Sequence, residues 1–163
     1  MAVLAVTGGG TQALADLFVV PGASRTVLEA LVPYSDGSMD GFLGRRPSQA
    51  VSPETAAKLA RKAHERASAL RPSEEVAVLG VACTAALVTD RPRKGEHRAH
   101  VAVCRGESVE VLSVTLEKNA RTRSGEERVV ADMVLSAMGR ACGLEAAMCE
   151  ALLPGEPVEV RVT

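Results

Sequence analysis

The sequence has no tryptophan, one tyrosine and two phenylalanines. A groove that stacks single-stranded nucleic acid on several rings cannot be built from three, and the core must be aliphatic. Charge of one sign is also missing. Nineteen Lys and Arg stand against twenty Asp and Glu, a formal net charge of −1, so no basic field draws the chain to nucleic acid or an anionic membrane. The longest uncharged apolar run, Val76 to Val88, is 13 residues, short of the roughly 18 to 20 that cross a bilayer. The start, MAVLAVTGGG, lacks the cationic opening of a secretory signal, so a cytoplasmic address is expected. Cys83, Cys104, Cys142 and Cys149 form no close pair and read as buried free thiols. What is present is the composition of one soluble globular domain, 47% apolar and 24% charged over 163 residues, with room for one core.

Along the chain, Ala2 to Val6 reads as a strand, Thr7-Gly8-Gly9-Gly10 as a turn and Gln12 to Val20 as a helix. Pro21 to Ser24 turns the chain into a second strand over Thr26 to Val32, and Ser38 to Leu43 adds a short helix ending at Gly44. Ser52-Pro53-Glu54 is a helix start: the hydroxyl caps a free amide, and proline loses nothing at the first position. The helix runs to Leu70, with Ala56, Leu59, Ala60, Ala63 and Ala67 as its apolar stripe and His64 on its exposed side. Val76 to Val81 is apolar on both faces and reads as a central strand. Ala99 to Cys104 and Val109 to Leu116 alternate as a hairpin around Arg105-Gly106-Glu107. Ser124 and Glu127 form a capping-box pattern before the longest helix, which runs to Gly143. A helical piece over Leu144 to Leu152 and a strand-like Val158 to Val162 follow. Strands alternating with helices predict a three-layer α/β/α domain with a mixed sheet, spanning 1–152. Residues 153–163 read as a tail that links to a further domain or partner.

Two constellations carry chemistry. Thr7, Gly8, Gly9 and Gly10 stand between a strand and a helix, where backbone amides and the helix N-terminus favour a phosphate or carboxylate; a tight turn is the plain alternative. Lys94, His97 and Arg98, with Arg91, Arg93 and His100 beside them, and Arg123 and Arg128 on the long helix, concentrate positive charge. They either converge on a phosphate above the sheet or form a solvated face offset by Glu96, Glu126 and Glu127. His97 and His100, three apart in a strand, point to opposite faces, so no metal site and no cofactor are expected.

In order along the chain, strand-Thr7-Gly8-Gly9-helix, then VPGAS, VPYS, LG, VSPETAAKLA and the apolar LGVAC resemble the C-terminal domain of the CinA (competence/damage-inducible) proteins, over Ala5 to about Ala141. Active members of that family are nicotinamide mononucleotide deamidases. The resemblance implies an amide-hydrolysing serine and tyrosine at Ser24 and Tyr34, and a lysine where this chain has Met39. A thioether neither takes nor gives a proton. The family's Glu-Ser-Cys-Thr-Gly-Gly is replaced by a segment ending Ala5-Val6-Thr7-Gly8-Gly9, and its glycine-rich loop by Gly80-Val81-Ala82-Cys83-Thr84. The expectation is a divergent CinA-like domain that binds a phosphorylated small molecule of the pyridine mononucleotide kind. Thr7 to Gly10, Thr84 and the basic cluster would serve as ligand contacts, and hydrolysis would be weak or lost. Lys94 and His97 are the nearby substitutes for the missing base. The alternatives are an active deamidase using Ser24, and a non-catalytic regulatory module of a nucleotidyltransferase-type protein. A homo-oligomer is expected in each case.

Overall fold

The computed structural model describes residues 1–91, 94–145, 149 and 151–163. Its six strands are β1 (Ala2–Thr7), β2 (Val27–Leu31), β3 (Leu79–Ala86), β4 (His97–Arg105), β5 (Ser108–Leu116) and β6 (Glu159–Val162). They form one sheet in the order β2-β1-β3-β4-β5-β6. β1 runs parallel to β2 and β3, while β4, β5 and β6 are each antiparallel to the strand before them. The helices are α1 (Thr11–Phe18), α2 (Asp36–Leu43), α3 (Pro53–Leu70) and α4 (Arg123–Ala141). The expected mixed sheet between helical layers is present.

Alternation along β1 assigns the layers. Leu4 and Val6 pack with Val130, Met133, Val134 and Ala137 of α4 and Ala13 of α1. Val3 and Ala5 pack with Ala63 and Ala67 of α3. β3 is covered on both faces and buried at all eight positions, which is why its sequence lacks polar alternation. It begins at Leu79 rather than Val76, because Val76 closes a turn onto Ser73 and Ala77 receives the amino terminus of Met1. Parallel pairing then starts at Ala2 with Leu79.

The start of α3 is as expected: Ser52 Oγ accepts the Thr55 amide at 3.1 Å, and Pro53 takes the first position. α2 starts two residues early, capped by Ser35. At α4 the cap is Thr122, whose Oγ1 accepts the Gly125 amide, and not Ser124; Glu127 is thereby released for a contact across the molecule. The cysteine expectation holds at Cys83, Cys104 and Cys149, but Cys142, in the turn after α4, is exposed. His64 is half-buried and accepts the Gly106 amide at 3.3 Å. The helix expected over 144–152 covers residues 146–148 and 150, which lie outside the described residues, as does Arg93. The strand expected at Val158 to Val162 is β6, paired to β5 through Val160 with Leu112. No described helix is long and apolar enough to cross a membrane.

Candidate functional site

β1 sends its chain to α1 on one face of the sheet, and β2 sends its chain to α2 and α3 on the other. The carboxyl ends of β1 and β3 therefore meet at a switch in connection, where open α/β sheets leave a crevice. A cavity of about 490 Å³ lies there, lined by Gly8, Tyr34, Ala85, Leu87, Arg91 and Arg123 among others. A second, of about 340 Å³, shares Thr89, Asp90 and Arg91 with it and adds Val88, His97, Lys118 and Asn119.

The glycine turn is tight because the ends of β1 and β3 touch. Gly8 has φ +75°, and a Cβ there would sit 1.9 Å from the Ala85 carbonyl oxygen. Gly10 caps α1 with φ 86° and no side-chain acceptor. An acceptor arrives from α4 instead. Glu127 Oε1 takes the Gln12 amide at 3.1 Å and the Thr11 hydroxyl at 2.9 Å. Arg123 bonds the Gly8 carbonyl at 3.0 Å and reaches Glu127 at 3.4 Å. A carboxylate of the chain itself thus sits where a helix N-terminus favours an anion.

Tyr34, 71% exposed, follows β2 and lines the cleft. Ser24 precedes β2 in a short 3-10 turn over Ala23–Arg25 and is exposed. Between the two runs the five-residue strand Val27–Leu31, about 13 Å long. Ser24 lies at the amino end of the sheet, where the Ala2 amide bonds the Thr26 carbonyl, and lines neither cavity of the cleft. Met39 is buried on α2 against Ala56, Leu59 and Ala82, so the lysine position faces core.

Thr7 and Thr84 are buried neighbours in register on the α3 side. Thr84 Oγ1 is the one fully buried side-chain oxygen or nitrogen without a partner among the described residues. Lys94 is exposed, its carbonyl taking the Lys118 ammonium. Arg98 points to the α3 side and bonds the Val51 carbonyl at 3.3 Å. Arg128 ties α4 to α1, pairing with Asp132 and, at 2.6 Å, with Asp16. The Gln12 side-chain Nε2 and then Arg128 hold the Asp16 carboxyl below its usual range. The described basic residues are therefore divided: Arg91 and Arg123 line the first cavity of the cleft, Arg91, His97 and Lys118 the second, and Arg98 and Arg128 are engaged elsewhere; the Arg91 guanidinium has no partner among the described residues.

Sequence reasoning placed Glu126 only as a solvated offset to the basic cluster. Its side chain is completely buried; Oε2 accepts the Val88 amide at 2.7 Å and Oε1 meets His97 Nδ1 at 2.6 Å. On the other face of β4, His100 Nδ1 meets Ser113 Oγ at 2.9 Å. Burial first, and Arg98 second, push the His100 imidazole down to about 4. His100 and Ser113 line a third cavity, of about 630 Å³, which Pro53 at the start of α3 also lines and which shares Lys118 with the second cavity of the cleft. The opposite placement of His97 and His100 is as their spacing predicts. Among the described residues no three His, Cys, Asp or Glu side chains gather as a metal site.

In sequence, no family model and no curated protein matches the chain. In structure, it is similar to a CinA superfamily protein of Escherichia coli, at TM-score 0.67 and 17% identity over 85% of this chain and 78% of that one. It is also similar to a competence or damage-inducible protein of Enterobacter asburiae, at 0.66 and 17% over 85% of each chain. A competence/damage-inducible protein of Agrobacterium tumefaciens stands at 0.66 and 20%, over 86% and 84%. At these identities the likeness shows the fold alone: the chain has the architecture of these structures.

Proposed function

We propose that the domain recognises a small phosphorylated molecule of the pyridine mononucleotide kind in the cleft at the carboxyl ends of β1 and β3, without amide hydrolysis through Ser24. The observation that carries this is the pairing, in one cavity of about 490 Å³, of an exposed aromatic ring at Tyr34 with the guanidinium of Arg91, unpartnered among the described residues. A ring offers a flat ligand a stacking face, and a guanidinium offers a phosphate two parallel donors. Against hydrolysis stand the strand length between Ser24 and Tyr34 and the buried thioether of Met39. A serine hydroxyl without a base in reach stays protonated. The glycine turn contributes shape rather than charge, since Glu127 occupies the helix start.

Thermal unfolding with nicotinamide mononucleotide, nicotinic acid mononucleotide or inorganic phosphate tests the reading. A ligand at 100 times its Kd adds about 2.7 kcal/mol, a rise of several degrees for a domain of this size. Arg91→Ala and Tyr34→Ala should each abolish the rise, and Ser24→Ala should leave it intact. Ammonia release from nicotinamide mononucleotide that Ser24→Ala removes would restore the deamidase reading.

A second reading, a non-catalytic interaction module that self-associates, is favoured by Phe18, Val19 and Val20. These three apolar neighbours at the end of α1 are 55%, 78% and 55% exposed. Absence of stabilisation by all three ligands, with a sedimenting species larger than the monomer that Val19→Glu dissociates, would select it.

A further inference from the structure

The second cavity of the cleft holds a pair that the recognition reading does not use. His97 is the first residue of β4 and is buried, and Glu126, in the first turn of α4, is completely buried. Glu126 is fixed at both oxygens, by the Val88 amide on one and His97 Nδ1 on the other. A carboxylate that accepts from Nδ1 sets the tautomer of the neutral ring and leaves a lone pair on Nε2. Nε2 has no hydrogen-bond partner among the described residues. It is also not fully enclosed, because the fully buried unpartnered side-chain atom of the described residues is Thr84 Oγ1 alone. His97 lines the cavity of about 340 Å³ that Arg91, Lys118 and Asn119 also line. A base held in one orientation by a buried acid, on a residue that lines a cavity, is the arrangement that general-base chemistry requires.

We propose that His97, oriented by Glu126, is a proton acceptor acting in this cavity on water, for the hydrolysis of an ester or amide of a small anionic acid. Nε2 takes a proton from water as the water oxygen bonds to the acyl carbon. The bond from that carbon to the leaving oxygen or nitrogen breaks, and the imidazolium returns its proton to the leaving group or to solvent. Arg91 meets the negative charge of the acid. Glu126 is a positioning residue: it touches no substrate and acts through the ring. The inference stands on this pair and its cavity, and survives if the phosphorylated-ligand reading fails.

Two measurements decide it. Wild-type protein treated with diethyl pyrocarbonate and mapped by mass spectrometry should carry the label on His97, at Nε2, as the other nitrogen is engaged. A protein labelled at His64 while His97 stays unmodified overturns the proposal without any variant having to fold. Hydrolysis of 4-nitrophenyl acetate, a neutral acyl probe, should fall about 10²-fold in His97→Gln, stay unchanged in His64→Gln, and slow in D2O. Hydrolysis at the wild-type rate in a folded His97→Gln, or a rate indifferent to D2O, which marks direct attack by the ring, overturns it. For Glu126, the nitrogen-15 NMR signature of His97 should show a proton on Nδ1 in the wild type and a mixture of tautomers in Glu126→Gln. A signature unmoved by that change removes the positioning role.

Discussion

His100 shows how one side chain couples burial to solution conditions. Its folded pKa of about 4 lies below the ordinary imidazole value of 6.5, so between these values the unfolded chain binds the extra proton. Stability from this group is then fully present above pH 6.5 and is lost as the pH falls toward 4. The full shift corresponds to roughly 3 kcal/mol; because His100 lines a wide cavity, about 2 kcal/mol is the expected loss. Urea unfolding at pH 7 and pH 4.5 should show that loss in the wild type and less of it in His100→Gln. At the same scale, the sequence disclosed local partners and concealed distant ones. The hydroxyl of Ser52 was legible because its acceptor role closes within three residues. Glu127 resembled a capping residue at that same spacing, yet its partners Thr11 and Gln12 lie more than a hundred positions away. Glu126 carried no local signal: a carboxylate among valines reads as surface until the fold encloses it.

Among the elements, α3 depends on one position of β3 that carries no side chain. A Cβ at Gly80 of β3 would lie 2.1 Å from the Ala60 carbonyl oxygen and 2.2 Å from the His64 amide nitrogen. The helix backbone therefore rests directly on the strand, and Ala56, Ala60, Ala63 and Ala67 are the residues small enough to permit it. Gly80→Ala should cost about 3 kcal/mol or more, since both colliding groups are backbone and cannot swing away; chemical denaturation followed by circular dichroism measures it. The alanine stripe of α3 was visible in the sequence as periodicity, but its reason, a close approach to β3, was not. The boundary of β3 was misplaced for a related cause: Val76 to Val81 is uniformly apolar, and only pairing with β1 decides where the ladder begins.

For the whole molecule, the alternation of strands and helices was enough to read the class, because a sheet needs cover on both faces and the apolar periods supply it. The sheet order was not readable: nothing local says that β3 crosses back over β1, and it is that crossing which opens the cleft. The separation of Ser24 from Tyr34 is likewise a property of the assembled sheet. Neighbouring motifs in sequence became opposite ends of one strand.

Glu127 gives this architecture a resident counter-ion. Because α4 holds it at the mouth of α1, a visiting phosphate meets a rival that never diffuses away, at an effective concentration of about millimolar or above. Glu127→Gln should raise the affinity for inorganic phosphate about fivefold, as calorimetry would read; equal affinity would mean that the mouth is closed by shape. A bare anion at the mouth of α1 must first displace a carboxylate that the chain itself supplies.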